Sequence, residues 1–323
     1  MNNIHLLYFI YNKENILRGE KMKKIYIFLG LTFLFTWSIC FTLMLMGGLT
    51  HPLSFILLIS CMMMPSISVL LTIIITKGSF RDVWLKARFK GNLKYYVIAW
   101  FSPVILIIFG AIVYYLIFPS HFDSNMSIMI QSLKLQLNSS GQALLSDEQI
   151  KSILVSQLFS AILMSPIVNI IACLGEEVGW RGFLLPNLLE KFTPIKATLL
   201  TGFIWGVWHA PMIAMGYNYG LNYALAPIGG ILAMIVFCIF VGSLFSYITF
   251  KTKSCIPAGL SHGMLNGFAS ASAMFIAIPN PNLFIGPSPL GFIGGIGFII
   301  TGLICFKLIS KINFDETNSV SLN

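Results

Sequence analysis

Runs of apolar residues, each about twenty long and parted by short polar breaks, recur along this chain at roughly 25–47, 52–76, 95–118, 153–175, 197–215, 224–250, 255–277 and 288–310. Each run is long enough for one helix to cross a hydrocarbon core about 30 Å thick. The pattern predicts an all-α, polytopic integral membrane protein with about eight transmembrane helices. Basic residues then orient it. Lys21, Lys23 and Lys24 precede the first run, Lys77 to Lys94 fill the second break, and Arg181, Lys191 and Lys196 the fourth. Lys251 and Lys253 fill the sixth, and Lys307 and Lys311 close the last run. All of these fall on one side, so the positive-inside rule predicts that both termini are cytoplasmic.

Pro119 to Lys151 is the long connection on the opposite side, and its apolar spacing from Met126 to Leu137 suits a short interfacial helix. It parts a plain N-terminal half from a half marked by polar residues. Four segments are expected: a doubtful N-terminal extension over 1–21, N-terminal membrane helices and external loop over 22–150, a polar-marked membrane core over 151–285, and a final helix with a cytoplasmic tail over 286–323. The first is doubtful because Met22-Lys-Lys-Ile reads as a second start, with Arg18-Gly-Glu-Lys21 as a translated ribosome-binding site.

Composition agrees: 57% of residues are hydrophobic and 10% charged, outside the soluble globular range. The net charge of +9 is spread over short connections, with no basic stripe interleaved with aromatics, so no nucleic-acid partner is expected. The six cysteines stand singly, with no CxxC spacing, and are given neither a disulfide nor a metal.

Chemistry is to be sought where polarity breaks an apolar run. Glu176 and Glu177 are the two carboxylates inside one, in Gly175-Glu-Glu-Val-Gly-Trp-Arg181, and burying them costs insertion energy that packing does not justify. Glu177 and Arg181 stand four apart, on one helical face, as a structural ion pair; Glu176 points about 100° away and is the freer carboxylate. Trp205 stands one turn from His209, and His262 one turn from Asn266. Counting from the basic helix ends at about 1.5 Å per residue, the three polar groups can meet in the cytoplasmic half. A carboxylate, two imidazoles and a carboxamide in a shielded pocket are what peptide hydrolysis requires.

Glu-Glu-x-x-x-Arg, an aromatic-x-x-x-His and His-x-x-x-Asn, in that order on membrane helices, resemble the CPBP family of intramembrane proteases. This is also called the Abi or CAAX-protease-like family, and it is related to the type II CAAX prenyl endopeptidase. The resemblance covers roughly Ser160 to Ala277. It implies catalytic roles for Glu176, Glu177, Arg181, His209, His262 and Asn266, with water activated by Glu176. The family's second motif usually begins with Phe; here Trp205 takes that place.

Two schemes stay open. Either Glu176, His209 and His262 hold Zn²⁺ with one position left for water, or Glu176 activates water beside His209 while His262 and Asn266 hold the oxyanion. No organic cofactor is implied. The expected partners are a membrane-anchored protein or peptide substrate and the lipid bilayer, and the Lys-, Ile-, Asn- and Phe-rich composition suggests a bacterial cytoplasmic membrane. A proton-coupled transporter and a non-enzymatic bacteriocin-immunity or partner-binding protein are the rival functions. Asn169 reads as interhelical glue, Trp205 and Trp208 as pocket wall, and Gly202, Gly206, Gly259, Gly263 and Gly267 as close-packing ridges.

Overall fold

The computed structural model describes residues 3–143 and 145–313, so the expected cytoplasmic tail from 314 on lies outside the described residues. Helix α1 (Asn3–Leu45) carries the first apolar run from Met22. It turns through Gly47 and Gly48, both at positive φ, into α2 (Ser54–Ile75). Helix α3 (Leu93–Ile117) follows the basic second break. The expected interfacial helix is present as α4 (Ser127–Ser139). Asp123 accepts the backbone N–H of Ser127 and of Asn125 at its start, both at 2.8 Å. Ser127, by side chain and then backbone, and Asn125 hold the Asp123 carboxyl below its ordinary value. That contribution is present above the ordinary value and is lost as pH falls through the lowered one.

Helix α5 (Asp147–Val168) opens on a capping box between Ser146 and Gln149. Pro166 cannot donate to the Ile162 carbonyl four residues back, and the Trp100 indole N–H takes that carbonyl at 2.9 Å. The rod is interrupted at Asn169 and continues as α6 (Ile170–Glu177), a widened π turn (Val178–Leu184) and α7 (Leu185–Leu189). Helix α8 (Pro194–Trp208) is parted from α9 (Ala210–Ala214) at His209, where Pro211 removes a backbone donor. Helices α10 (Ile228–Thr252), α11 (Ile256–Phe268) and α12 (Ile296–Ile309) complete the bundle.

Six helical stretches among the described residues are long and apolar enough to cross a membrane, rather than eight. The last two windows hold only the 13 residues of α11 and the 14 of α12. The window beginning at 288 is apolar, but Pro289, Gly291, Gly294 and Gly295 resist helix, and α12 begins only at Ile296. The chain is a multi-pass membrane protein whose outward faces stay apolar, with Phe55, Leu116 and Ile171 each more than 70% exposed.

Glycines set the interior. A Cβ at Gly202 or Gly206 would come within 2.8 or 2.5 Å of the α10 backbone at Ile239 or Ile235. At Gly259, Gly263 and Gly267 it would press on Leu174, Pro166 and Ser165 of the rod. The ridges read from sequence are therefore packing surfaces. Gly175 and Gly179, which the sequence reading passed over, do the same against Met62 and Pro65 of α2. The N-terminal hairpin is thereby seated directly on the polar rod.

Candidate active site

Glu176 and Glu177 end α6 and are almost fully buried, at 2% and 0% exposure. The predicted pair forms, with Arg181 Nη1 donating to Glu177 Oε1 at 3.0 Å. Arg181 stands in the π turn, and its guanidinium lies 4.3 Å from the Trp205 ring centroid and 5.3 Å from that of Phe245. Two aromatic faces and one carboxylate thus stabilise a cation that has no access to water. Gly242 of α10 makes the space, since a Cβ there would meet Arg181 Nη2 at 2.7 Å. Neither Phe245 nor Gly242 carries a sequence signal, because each acts across a helix interface.

Trp205 does more than line the pocket. Its indole N–H donates to Glu176 Oε2 at 2.8 Å, a bond that phenylalanine could not make. His209 packs against the same ring at 5.8 Å and His262 edge-on at 5.4 Å, so one indole touches all three candidate groups. His209 Nδ1–H donates to the Trp205 carbonyl at 2.8 Å, which fixes its tautomer and leaves Nε2 as the acceptor. Trp208 is braced from α1, donating to Thr36 Oγ1 at 2.9 Å, while the Trp37 indole N–H donates to the Trp208 carbonyl at 3.3 Å.

One contact departs from the sequence reading. His262 Nδ1–H donates to Glu177 Oε1 at 3.0 Å, so the supposed brace carboxylate also orients an imidazole. Glu177 has two partners on one oxygen and Glu176 has Trp205 alone, which keeps Glu176 as the less engaged acid. Asn266 is exposed, and its Nδ2 lies 3.7 Å from the buried Cys173 Sγ on α6. Asn169 donates to the Gly263 carbonyl at 3.2 Å, tying the rod to α11 as interhelical glue would.

Among the described residues no three His, Cys, Asp or Glu side chains are grouped as a metal ion would need. Glu176, His209 and His262 each contact Trp205, the first by its hydrogen bond and the two imidazoles at 5.8 and 5.4 Å between ring centroids.

Residues 157–268 match the family model for Rce1-like type II CAAX prenyl endopeptidases. This part of the chain is similar to CAAX proteases. A CAAX prenyl protease 2 from Methanococcus maripaludis is 30% identical over 109 residues, covering 30% of this chain and 36% of the relative. The chain thus matches about a third of that relative's length. The matched segment takes in the rod from the middle of α5 through α7, then α8 to α11, and with them all six candidate residues.

Proposed function

We propose that the chain is an intramembrane endopeptidase of a bacterial cytoplasmic membrane, hydrolysing a peptide bond in a membrane-associated protein or peptide. The observation that supports this best is the enclosure of Glu176, His209 and His262 around Trp205, within the CAAX-protease-like segment of a membrane protein. Glu176 removes a proton from water as its oxygen bonds to the scissile carbonyl carbon. His209 Nε2 orients that water. The oxyanion is held by His262 as an imidazolium, its Nδ1–H kept on Glu177 and its Nε2–H donated to the oxyanion, with Asn266 closing over it from α11 when substrate fills the site. Collapse breaks the C–N bond, and the proton held by Glu176 passes to the leaving amine.

The test is purification in detergent, a cleavage screen with lipidated and unlipidated peptides, and metal analysis of the active fraction. Cleavage that is lost in both His209→Ala and His262→Ala supports the reading; an intact pool of peptides across the screen overturns it. Metal in stoichiometric amount, with activity lost on chelation and restored by Zn²⁺, would replace the metal-free scheme by the zinc one.

The reading also places both termini and the substrate entrance on the cytoplasmic side, following the basic residues. Asn266 is exposed and all six cysteines are buried, which makes it a good reporter. In a cysteine-free background, Asn266→Cys should react with a membrane-impermeant thiol reagent much faster in inside-out vesicles than in intact cells. Faster labelling from outside would reverse the topology.

A further inference from the structure

From the end of α2 into the first turn of α3, Lys77 to Lys94 holds six basic residues and a single acid, Asp82. The segment has almost no regular structure beyond one short turn at Phe80–Asp82, yet its backbone is held in place. Trp84 N–H donates to the Gly182 carbonyl at 2.9 Å, Cys255 N–H donates to the Trp84 carbonyl at 2.7 Å, and Arg88 N–H donates to the Tyr96 hydroxyl at 3.2 Å. Val83 is buried, while Phe80 and Phe89 remain 56% and 58% exposed beside exposed Lys86, Arg88 and Lys90. Cations and apolar side chains therefore share one anchored outer face.

Neighbouring elements add charge of the same sign. Lys24 of α1 brings its Nζ to 3.6 Å from where a Cβ on Gly78 would stand. Lys94 lies over the Tyr95 ring at 5.2 Å and Lys251 of α10 over the Tyr247 ring at 5.6 Å, and those two rings pack edge to face at 6.4 Å. Basic residues from α1, the loop, α3 and α10 thus converge on one aromatic-lined end of the bundle. Tyrosine rings there suit the headgroup level, the cations suit phosphate, and the exposed phenylalanines suit the first carbons of acyl chains. A soluble acidic protein would answer the charges and leave Phe80 and Phe89 without a matching environment.

We propose that this face is a binding site for anionic phospholipid headgroups, and that lipid bound there stiffens the candidate active site. The route is short, since the same three-residue stretch, Val83 to Leu85, is hydrogen-bonded to Gly182 in the π turn that holds Arg181 and to Cys255 at the foot of the helix that holds His262.

The test uses the full chain and no proteolytic readout, so it stands whatever becomes of the protease reading. Binding of a tail-labelled fluorescent phosphatidylglycerol is compared with that of the same probe bearing a phosphatidylcholine headgroup. The proteins are the wild type, K86Q/R88Q/K90Q, and a control with three other exposed charges removed, K191Q/K307Q/K311Q. Wild type and control should prefer the anionic probe, and the loop variant should lose that preference by on the order of tenfold or more. Phosphatidylglycerol in nanodiscs should raise the melting midpoint of the wild type and control but not of the loop variant, and salt should erase the rise. No preference in the wild type, or an equal loss in the control, overturns the site. A midpoint that rises equally in the loop variant overturns the stiffening.

Discussion

Glu176→Gln is expected to leave the protein folded and inserted and to reduce cleavage by roughly 10²- to 10⁴-fold, the range over which a positioned general base acts. The amide oxygen can still accept the Trp205 indole N–H, now 2.8 Å from Glu176 Oε2, so the side chain has reason to keep its place while losing its basicity. Melting and chromatographic behaviour should therefore match the wild type. The decisive measurement is kcat on a peptide found in the cleavage screen, with KM little changed because the group acts on water. A variant cleaving at the wild-type rate would remove Glu176 from the mechanism.

Glu177→Gln is expected to do the opposite first: melting should fall steeply, by an amount corresponding to about 3–5 kcal/mol, because a buried guanidinium loses its carboxylate. Arg181 is 0% exposed, and its remaining neighbours on the stacked faces are the rings of Trp205 and Phe245. A double variant separates charge burial from chemistry. Replacing Arg181 with Met as well removes the unpaired cation, so E177Q/R181M should recover much of the lost stability. It should not recover cleavage, because His262 has lost the carboxylate that holds its Nδ1–H. Full activity in the double variant would show that Glu177 serves only as a brace.

The parts of the site that lie along one helix were legible from spacing. Glu177 with Arg181, and Trp205 with His209, are four apart, and the helical period puts each pair on a common face. The bond from His262 to Glu177 joins residues 85 apart and has no local signature. The same holds for Thr36 beneath Trp208 and for Gly242 beneath Arg181, since a threonine or glycine in a membrane helix looks alike whether it faces lipid or another backbone. The all-helical architecture followed from the apolar runs; which runs hold an unbroken helix did not. Hydropathy counts apolar atoms and is blind to whether Pro289 and Gly291 to Gly295 permit a helix at all. Asn169 reads as glue, and its amide donates to two backbone carbonyls, Ser165 on its own rod and Gly263 across on α11.

The widened turn at Val178–Leu184 also makes the site depend on an exact count of residues. A π turn holds a residue that an ordinary α-helix would have no room for. Deleting one, such as Phe183, would relax the stretch into a regular helix and make it a better helix by every local measure. Because the wide turn absorbs its extra residue locally, the helices on either side would keep their phase, and Leu184, Leu185 and Leu188, all buried, would still face the surfaces that receive them. The change would fall inside the turn, where Arg181 and the Gly182 carbonyl that accepts the Trp84 N–H now stand. The surplus residue thus shapes the seat of the buried cation and the anchor of the basic loop while leaving the helices around it undisturbed.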